Sequence, residues 1–406
     1  MRNLCVCLHT YVYMKKIYFD NSATTKIDPR VFKAMTPYLK DEYGNPGSIH
    51  SFGQTALAAV DEAREKIAKF FSCSNQEIIF TGCATESNNL AILGTVNYFL
   101  EQNKKVHIIT LAIEHPSVLE VFKALKKKGQ VEVDFAPVDA NGIVKLEPLK
   151  NLIKENTVLV SIMYANNEVG SIQPIEQIGE IVKKERVKRG EKGLAIRFHV
   201  DAVQAINCLD CNVDKLGADF LGFSGHKIYA PKGVGALYIR RGIKIEPLCY
   251  GGHYEYNLRP GTLNVAAIVG LGKAIELIGE EKEADIEKLK KIKNKLIAEI
   301  SKIDNIRFNG NADQQLPSLI NVSFYKAEGE SILMTLDMLG IAISTGSACS
   351  SGSLEPSHVL TAMGIKPEWS HGSIRISLGR FNSEDEVEYF ISKLKFVVSK
   401  LRAMAP

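Results

Sequence analysis

The chain has 406 residues, of which 45% are hydrophobic and 24% charged, with a formal net charge of +4. That length is too great for one ordinary core and predicts two or three domains. So small a charge excess predicts no nucleic-acid partner, and no apolar run approaches the roughly 18 residues that begin to suggest a membrane span.

Residues 1–13 precede a second methionine, Met14, and the stretch "KKIYFDNSATT". They carry one early Arg, a short apolar run and no small-residue cleavage site, so they read as an extension outside the fold and not as an export signal. Without such a signal the eight cysteines (5, 7, 73, 83, 208, 211, 249 and 349) read as reduced cytosolic thiols. "CVC" and "CLDC" (Cys208–Cys211) lack the second pair a zinc site needs and are taken as structural; no metal is expected.

From residue 55 the pattern alternates. "TALAAVDEAREKIAKFF" has helical spacing, "EIIFTG" is a short strand, and "ESNNLAILGTVNYFL" returns to helix. "KVHIITL", "VEVDFAPV" and "TVLVSIMYA" are strands separated by the helix "PSVLEVFKALKKKG"; the last is apolar throughout, as a strand covered on both faces would be. "Lys126–Lys128" in that helix reads as a solvated face. The helix "IEQIGEIVKKERVKRG" leads to the strands "AIRFHVDA", "DFLGFSG" and "GALYIRR". Such alternation predicts an α/β domain, a mostly parallel seven-stranded sheet with helices on both faces, over 31–264. Ile286, Leu289, Ile292, Leu296, Ile300 and Ile303 then mark a long amphipathic helix. "SLINVSFY", "IAIST" and "SIRISLG" follow as strands of a smaller α+β domain, 265–406, with which residues 14–30 are expected to pack.

Ligands of open parallel sheets bind beyond the carboxyl ends of the strands, and the polar clusters fall there. Lys227 in "FSGHK" is either a surface residue or an amine able to form a Schiff base. Asp201 in "HVDAVQ" is a helix cap, a surface acid, or the partner of a protonated pyridine nitrogen. Ala84 and Thr85 open a helix after a small-residue turn, where an anion is favoured. His115 in "AIEHPSV" either stacks on a planar group or caps its helix, and Asn167 ends the apolar strand. Cys349 lies among small residues in "STGSACSSGS", bracketed by Gly346 and Gly352; nothing there suits a core, and a mobile, reactive thiol is expected.

Together the motifs "YFDNSATT", "YGNPGSIH", "ATESNN", "EHPSV", "NNEVG", "HVDAVQ", "SGHK", "RPGT", "GSACSSGSLEPSHVL" and "SIRISLG" run in one family's order. From about residue 16 to its end the chain resembles the cysteine desulfurases of the NifS/IscS type, of the pyridoxal 5'-phosphate (PLP) dependent fold-type I, class V aminotransferase superfamily. The resemblance implies that fold, PLP as cofactor, and transfer of sulfur from L-cysteine to Cys349 as a persulfide with release of L-alanine. Selenocysteine lysis, or another PLP reaction of the same fold, is the alternative it leaves open.

Position by position, the resemblance makes Lys227 the Schiff-base lysine. Asp201 pairs with the pyridine nitrogen, Gln204 with the phenolic oxygen, and His115 stacks on the ring and handles the substrate's thiol proton. Ala84, Thr85, Ser224 and His226 hold the phosphate, Asn167 and Arg375 the substrate carboxylate. Thr262 reaches the phosphate of a partner subunit, which implies a homodimer. A sulfur-acceptor protein, such as an iron–sulfur scaffold or a tRNA-thiolating enzyme, and a cytoplasmic location are expected. Tyr254 stands where the family usually has Gln or His, and Tyr256, Asn257 and Cys83 also depart from its pattern.

Overall fold

The computed structural model describes residues 16–191, 193–345 and 356–404; residues 1–13, Gly346, Cys349 and Gly352 therefore lie outside the described residues. The chain enters through a two-residue strand, β1 (Ile17–Tyr18). Two helices follow, α1 (Pro29–Lys40) and α2 (Ser51–Phe71). The large sheet is then built from β2 (Ile78–Thr81), β3 (Val106–Leu111), β4 (Val131–Ala136), β5 (Thr157–Met163), β6 (Arg197–Asp201), β7 (Phe220–Ser224) and β8 (Gly235–Ile239). Between them run α3 (Ala84–Leu100), α4 (Pro116–Lys128), α5 (Leu146–Leu152), α6 (Ile175–Arg189) and α7 (Val213–Leu216).

The order across the sheet is β2-β8-β7-β6-β5-β3-β4. β8 runs antiparallel to both its neighbours, and every other pair is parallel. Two reversals restore direction, so β2 points the same way as β3, β5, β6 and β7. The carboxyl ends of these five strands therefore share one edge of the sheet. All seven residues of β5 are buried, because both faces are covered. α2, α6 and the first half of the next helix join one core with Val160, Ile162, Leu221 and Phe223. α3 and α4 join another with Ile108, Val158 and Leu159.

The next helix, α8 (Val265–Ile300), starts well before the apolar positions that announced it and ends before Ile303. Its stretch "VAAIVGLGKAIELIG" belongs to the large core, while Leu289, Ile292, Leu296 and Ile300 belong to a second. That second core is closed by β9 (Ile306–Asn309), β10 (Leu319–Phe324), α9 (Gly329–Asp337), β11 (Ile341–Ala342), β12 (Ser373–Ser377) and α12 (Asp385–Met404), whereas α10 (His358–Ala362) puts Val359 and Leu360 into the large core and α11 (Pro367–Ser370) packs Trp369 against it. β9, β10 and β12 form an antiparallel sheet in the order β12-β10-β9. β1 pairs in parallel with β11, so the first described residues lie against this second core, with Ile17 and Phe19 inside it.

Candidate active site

A cavity of about 400 Å³ opens at the shared edge of the large sheet. Every site residue named from the sequence lines it except Thr262 and Cys349. The common strand direction explains the convergence. His115 follows β3, Asn167 follows β5, Asp201 ends β6, Ser224 ends β7, and His226 and Lys227 fall in the turn after it.

One corner is built for an anion. α3 begins at Ala84, and its N-cap Cys83 provides no side-chain bond to the first-turn amides. Those N–H groups and the positive end of the helix dipole lie at the cavity wall. Ser224 stands beside them, with its Oγ buried and without a hydrogen-bond partner. A buried hydroxyl with no partner costs about 1–3 kcal/mol, and a phosphate group there would satisfy it. His226 Nδ1 is 3.2 Å from Thr24 Oγ1. Burial first, then the charges of Lys227 and Lys232, hold this imidazole down at about 4, so at neutral pH it offers a neutral hydrogen-bonding ring.

A second group of residues is built around a carboxylate. Asp201 is 5% exposed. Its Oδ1 accepts the Val203 N–H at 3.0 Å and its Oδ2 accepts from Asn88 Nδ2 at 2.8 Å. Asn88 also donates to Ser117 Oγ at 2.9 Å, which lies 2.9 Å from His115 Nδ1. His115 is the N-cap of α4 and accepts the Ser117 N–H. Burial lowers its pKa against the opposing pull of Asp201. Gln204 Nε2 donates to the Ser22 carbonyl at 3.2 Å.

Lys227 Nζ donates to the carbonyls of Ser22 and Ala23, at 2.5 and 2.7 Å. The motif "DNSATT" thus enters the site through its backbone. Arg375 on β12 is 3% exposed. Its guanidinium bonds the Asn167 carbonyl at 3.0 Å and Asp20 Oδ1 at 2.8 Å, while its Nε is buried without a partner. An unsatisfied donor on a fixed, planar cation suits a small carboxylate. The residues therefore fit PLP and an amino acid: an anion corner, a buried carboxylate, an amine, and a cation with a donor to spare.

Thr262 is exposed and borders a separate cleft with Gly82 and Arg259; nothing in the described chain brings it to the cavity. Cys349 lies outside the described residues. Sequence reasoning missed Asn88, Ser117, Glu168 and His358. Asn88 was inside a quoted motif, and its place four residues after Ala84, one helical turn on, was a readable signal. Cys208 and Cys211 are buried free thiols, and burial pushes each up to about 12.

The family model for class-V aminotransferases matches residues 17–390. The chain is 47% identical to the cysteine desulfurase IscS of Dictyoglomus turgidum over 393 residues, covering 97% of each chain. It is also 47% identical to the IscS of Methanosarcina thermophila, covering 97% of this chain and 94% of that one. A solved NifS-like protein superposes with a TM-score of 0.88 at 41% identity, over 95% of this chain and all of that one.

Proposed function

Because the chain belongs to the class-V aminotransferase family and to the cysteine desulfurases within it, we propose that the cavity residues divide the work of PLP-dependent sulfur removal from L-cysteine as follows. Ala84, Thr85, Ser224 and His226 hold the phosphate of PLP. Asp201 would pair with the ring nitrogen, Gln204 would bond the phenolic oxygen, and His115 would pack against the ring. When bound, PLP supplies an electron sink for the substrate's α-carbon. Lys227 would be the amine that holds PLP, and its Nζ would be the base for the substrate's Cα proton. Its Nζ is placed by the bonds it donates to the carbonyls of Ser22 and Ala23.

Arg375 and Asn167 bind the substrate carboxylate. Arg375 is fixed by Asp20 before substrate arrives, so little side-chain entropy is lost on binding. The His115 ring, whose Nδ1 is engaged by Ser117, offers Nε2–H as a hydrogen-bond donor to the reacting group. Cys349 is the thiol that accepts the sulfur as a persulfide and hands it to an acceptor protein, an iron–sulfur scaffold or a tRNA-thiolating enzyme. Thr262 completes the phosphate site of a second copy, so the working unit is a homodimer, and the reduced thiols suit the cytoplasm. No helix among the described residues is long and apolar enough to cross a membrane.

The observation that carries this reading is the meeting of Lys227, Asp201 and the orphaned Ser224 hydroxyl in one cavity. Two variants test it. Lys227→Ala is expected to lose the visible absorbance of lysine-linked PLP, and a retained band refutes the lysine assignment. Cys349→Ser is expected to keep PLP and cysteine binding yet form no persulfide; normal turnover would mean sulfur leaves by another route.

A further inference from the structure

Of the three histidines that line the cavity, His115 and His358 are fixed in the same tautomer but have opposite nitrogens engaged. His115 Nδ1 accepts the Ser117 N–H at 3.1 Å, so the proton of the neutral ring is on Nε2. His358, also in the cavity wall, has Nε2 3.0 Å from the Glu114 carbonyl oxygen. A carbonyl only accepts, so Nε2 carries the proton and Nδ1 the lone pair. Burial lowers the pKa of both rings, and His358 is among the groups that lower His115, so the two are close enough to oppose each other's charge. The charged groups facing His358 from α4 are Glu120 and Lys123.

The backbone under His358 is also fixed. Ser357 caps α10, its Oγ accepting from Val359 N and Leu360 N. The same hydroxyl donates to Glu168 Oε2 at 2.5 Å. His358 is thus held at its ring and at its backbone, as a group that must meet a reacting atom should be.

We infer that His358 is the proton acceptor of the sulfur-transfer step. The inference rests on the cysteine desulfurase reading with Cys349 as sulfur acceptor. One of the two thiols involved must lose its proton before a sulfur–sulfur bond forms, and the carbon that the sulfur leaves must gain one. The Cys349 S–H bond breaks, its electron pair stays on sulfur, and the proton moves to His358 Nδ1. The thiolate attacks the substrate sulfur; the S–S bond forms as the C–S bond breaks, its pair going to carbon. The proton on His358 then passes to that carbon, which becomes the methyl group of alanine. The persulfide keeps the substrate's own thiol hydrogen, and no outside oxidant or reductant is needed. His115, with its acceptor nitrogen already engaged, acts as a donor and stacking ring, and the substrate's thiol proton, expected from the sequence to pass through it, stays on the sulfur.

His358→Gln keeps an N–H donor for the Glu114 carbonyl and removes the base. In the holoenzyme it is expected to retain the PLP absorbance and its response to cysteine, with kcat lower by about 100-fold and KM within about twofold. His358→Ala is expected to lose as much and to regain about tenfold with added imidazole, which a merely structural role would not allow. Nitrogen NMR of the histidine-labelled holoenzyme, with the His358 signals assigned by their loss in His358→Gln, is expected to show an unprotonated Nδ1 and a protonated Nε2. A kcat for His358→Gln within about threefold of wild type, no imidazole rescue, or a protonated Nδ1 overturns the inference. Cys349→Ser separates the layers. If it turns over normally, the Cys349 reading fails; if it is inactive while His358→Gln is active, only the inference fails.

Discussion

Glu168 shows how a single side chain in the cavity wall trades stability for position. It is 4% exposed, and burial pushes its carboxyl up to about 7 against the opposing pull of the Ser357 hydrogen bond and Arg375. An unfolded glutamate titrates near about 4.3. Between these values the folded chain binds more protons than the unfolded one, so stability falls as pH rises through the window, and the cost is fully present above about 7. Glu168→Gln removes that titration. Its stability advantage over wild type, read from urea unfolding, is expected to widen from pH 5 to pH 8, by at most on the order of 3 kcal/mol; a gap that does not change with pH would show that Glu168 titrates normally. Asn88 is the complementary case, a neutral residue holding a charged one. Asn88→Ala removes the donor to Asp201 Oδ2 and the bond to Ser117 together. Equilibrium titration with PLP is expected to show about tenfold weaker binding, since a hydrogen bond to a charged group contributes about 1.5–3 kcal/mol; unchanged affinity would mean Asp201 needs no orientation from α3.

Among the elements, the turn before Thr262 carries the least expected conformation. Glu255, Tyr256 and Asn257 stand at φ of 44°, 55° and 65° in succession, a left-handed run that non-glycine residues adopt at a cost of about 1–2 kcal/mol each. A buried ion pair holds it. Glu255 takes Arg64 through both oxygens, at 2.6 and 3.0 Å, and accepts the Phe80 N–H at 2.7 Å. The Arg64 guanidinium lies over the Phe80 and Tyr256 rings. Arg64→Met leaves the Glu255 carboxylate buried and unpaired, and thermal unfolding is expected to show a loss of about 3–5 kcal/mol; a loss below about 1 kcal/mol would place the pair at a solvated surface. The sequence marked Tyr254, Tyr256 and Asn257 as departures but carried no sign of this turn, because its anchor, Arg64, is remote in the chain. The same limit explains the other differences. The apolar run of β8 announced a strand, while its antiparallel direction comes from pairing with β2 and β7. β9 has only Asn309 buried, too weak an alternation to read. The first turns of α8, through Gly272, are apolar on every side because they lie in a core, so no amphipathic period marked them. What was legible were the strand ends. Lys227, Asp201, His115 and Asn167 each follow a readable strand, and parallel strands carry their ends to one place.

For the molecule as a whole, the exposed apolar surface argues for a second copy of the chain. Tyr43, Ile49, Phe52, Tyr250 and Tyr256 are 75%, 94%, 51%, 85% and 52% exposed. They are not scattered. The Tyr43 and Phe52 rings pack at a tilt with centroids 5.9 Å apart, and Tyr254 Oη donates to Asn45 Oδ1 at 3.0 Å, tying the loop around residue 45 to the one around residue 255. Thr262, exposed and unable to reach its own cavity, leaves the second of those loops. A patch of this kind is what an interface with a second copy would bury. If two copies meet there, Thr262 is carried toward the partner's phosphate corner, and each cavity is complete only in the pair. Ile49→Lys combined with Phe52→Lys places two cations in that interface, where neither can be paired without cost. Sedimentation velocity is expected to show the wild type as a dimer and the double variant as a monomer with unchanged circular dichroism. PLP affinity is expected to fall with it, and Thr262→Ala in the intact dimer is expected to reproduce that loss of affinity without dissociation. A monomeric double variant that binds PLP like the wild type would place the whole phosphate site within one chain, and Thr262 would then be an exposed residue of the cleft it borders.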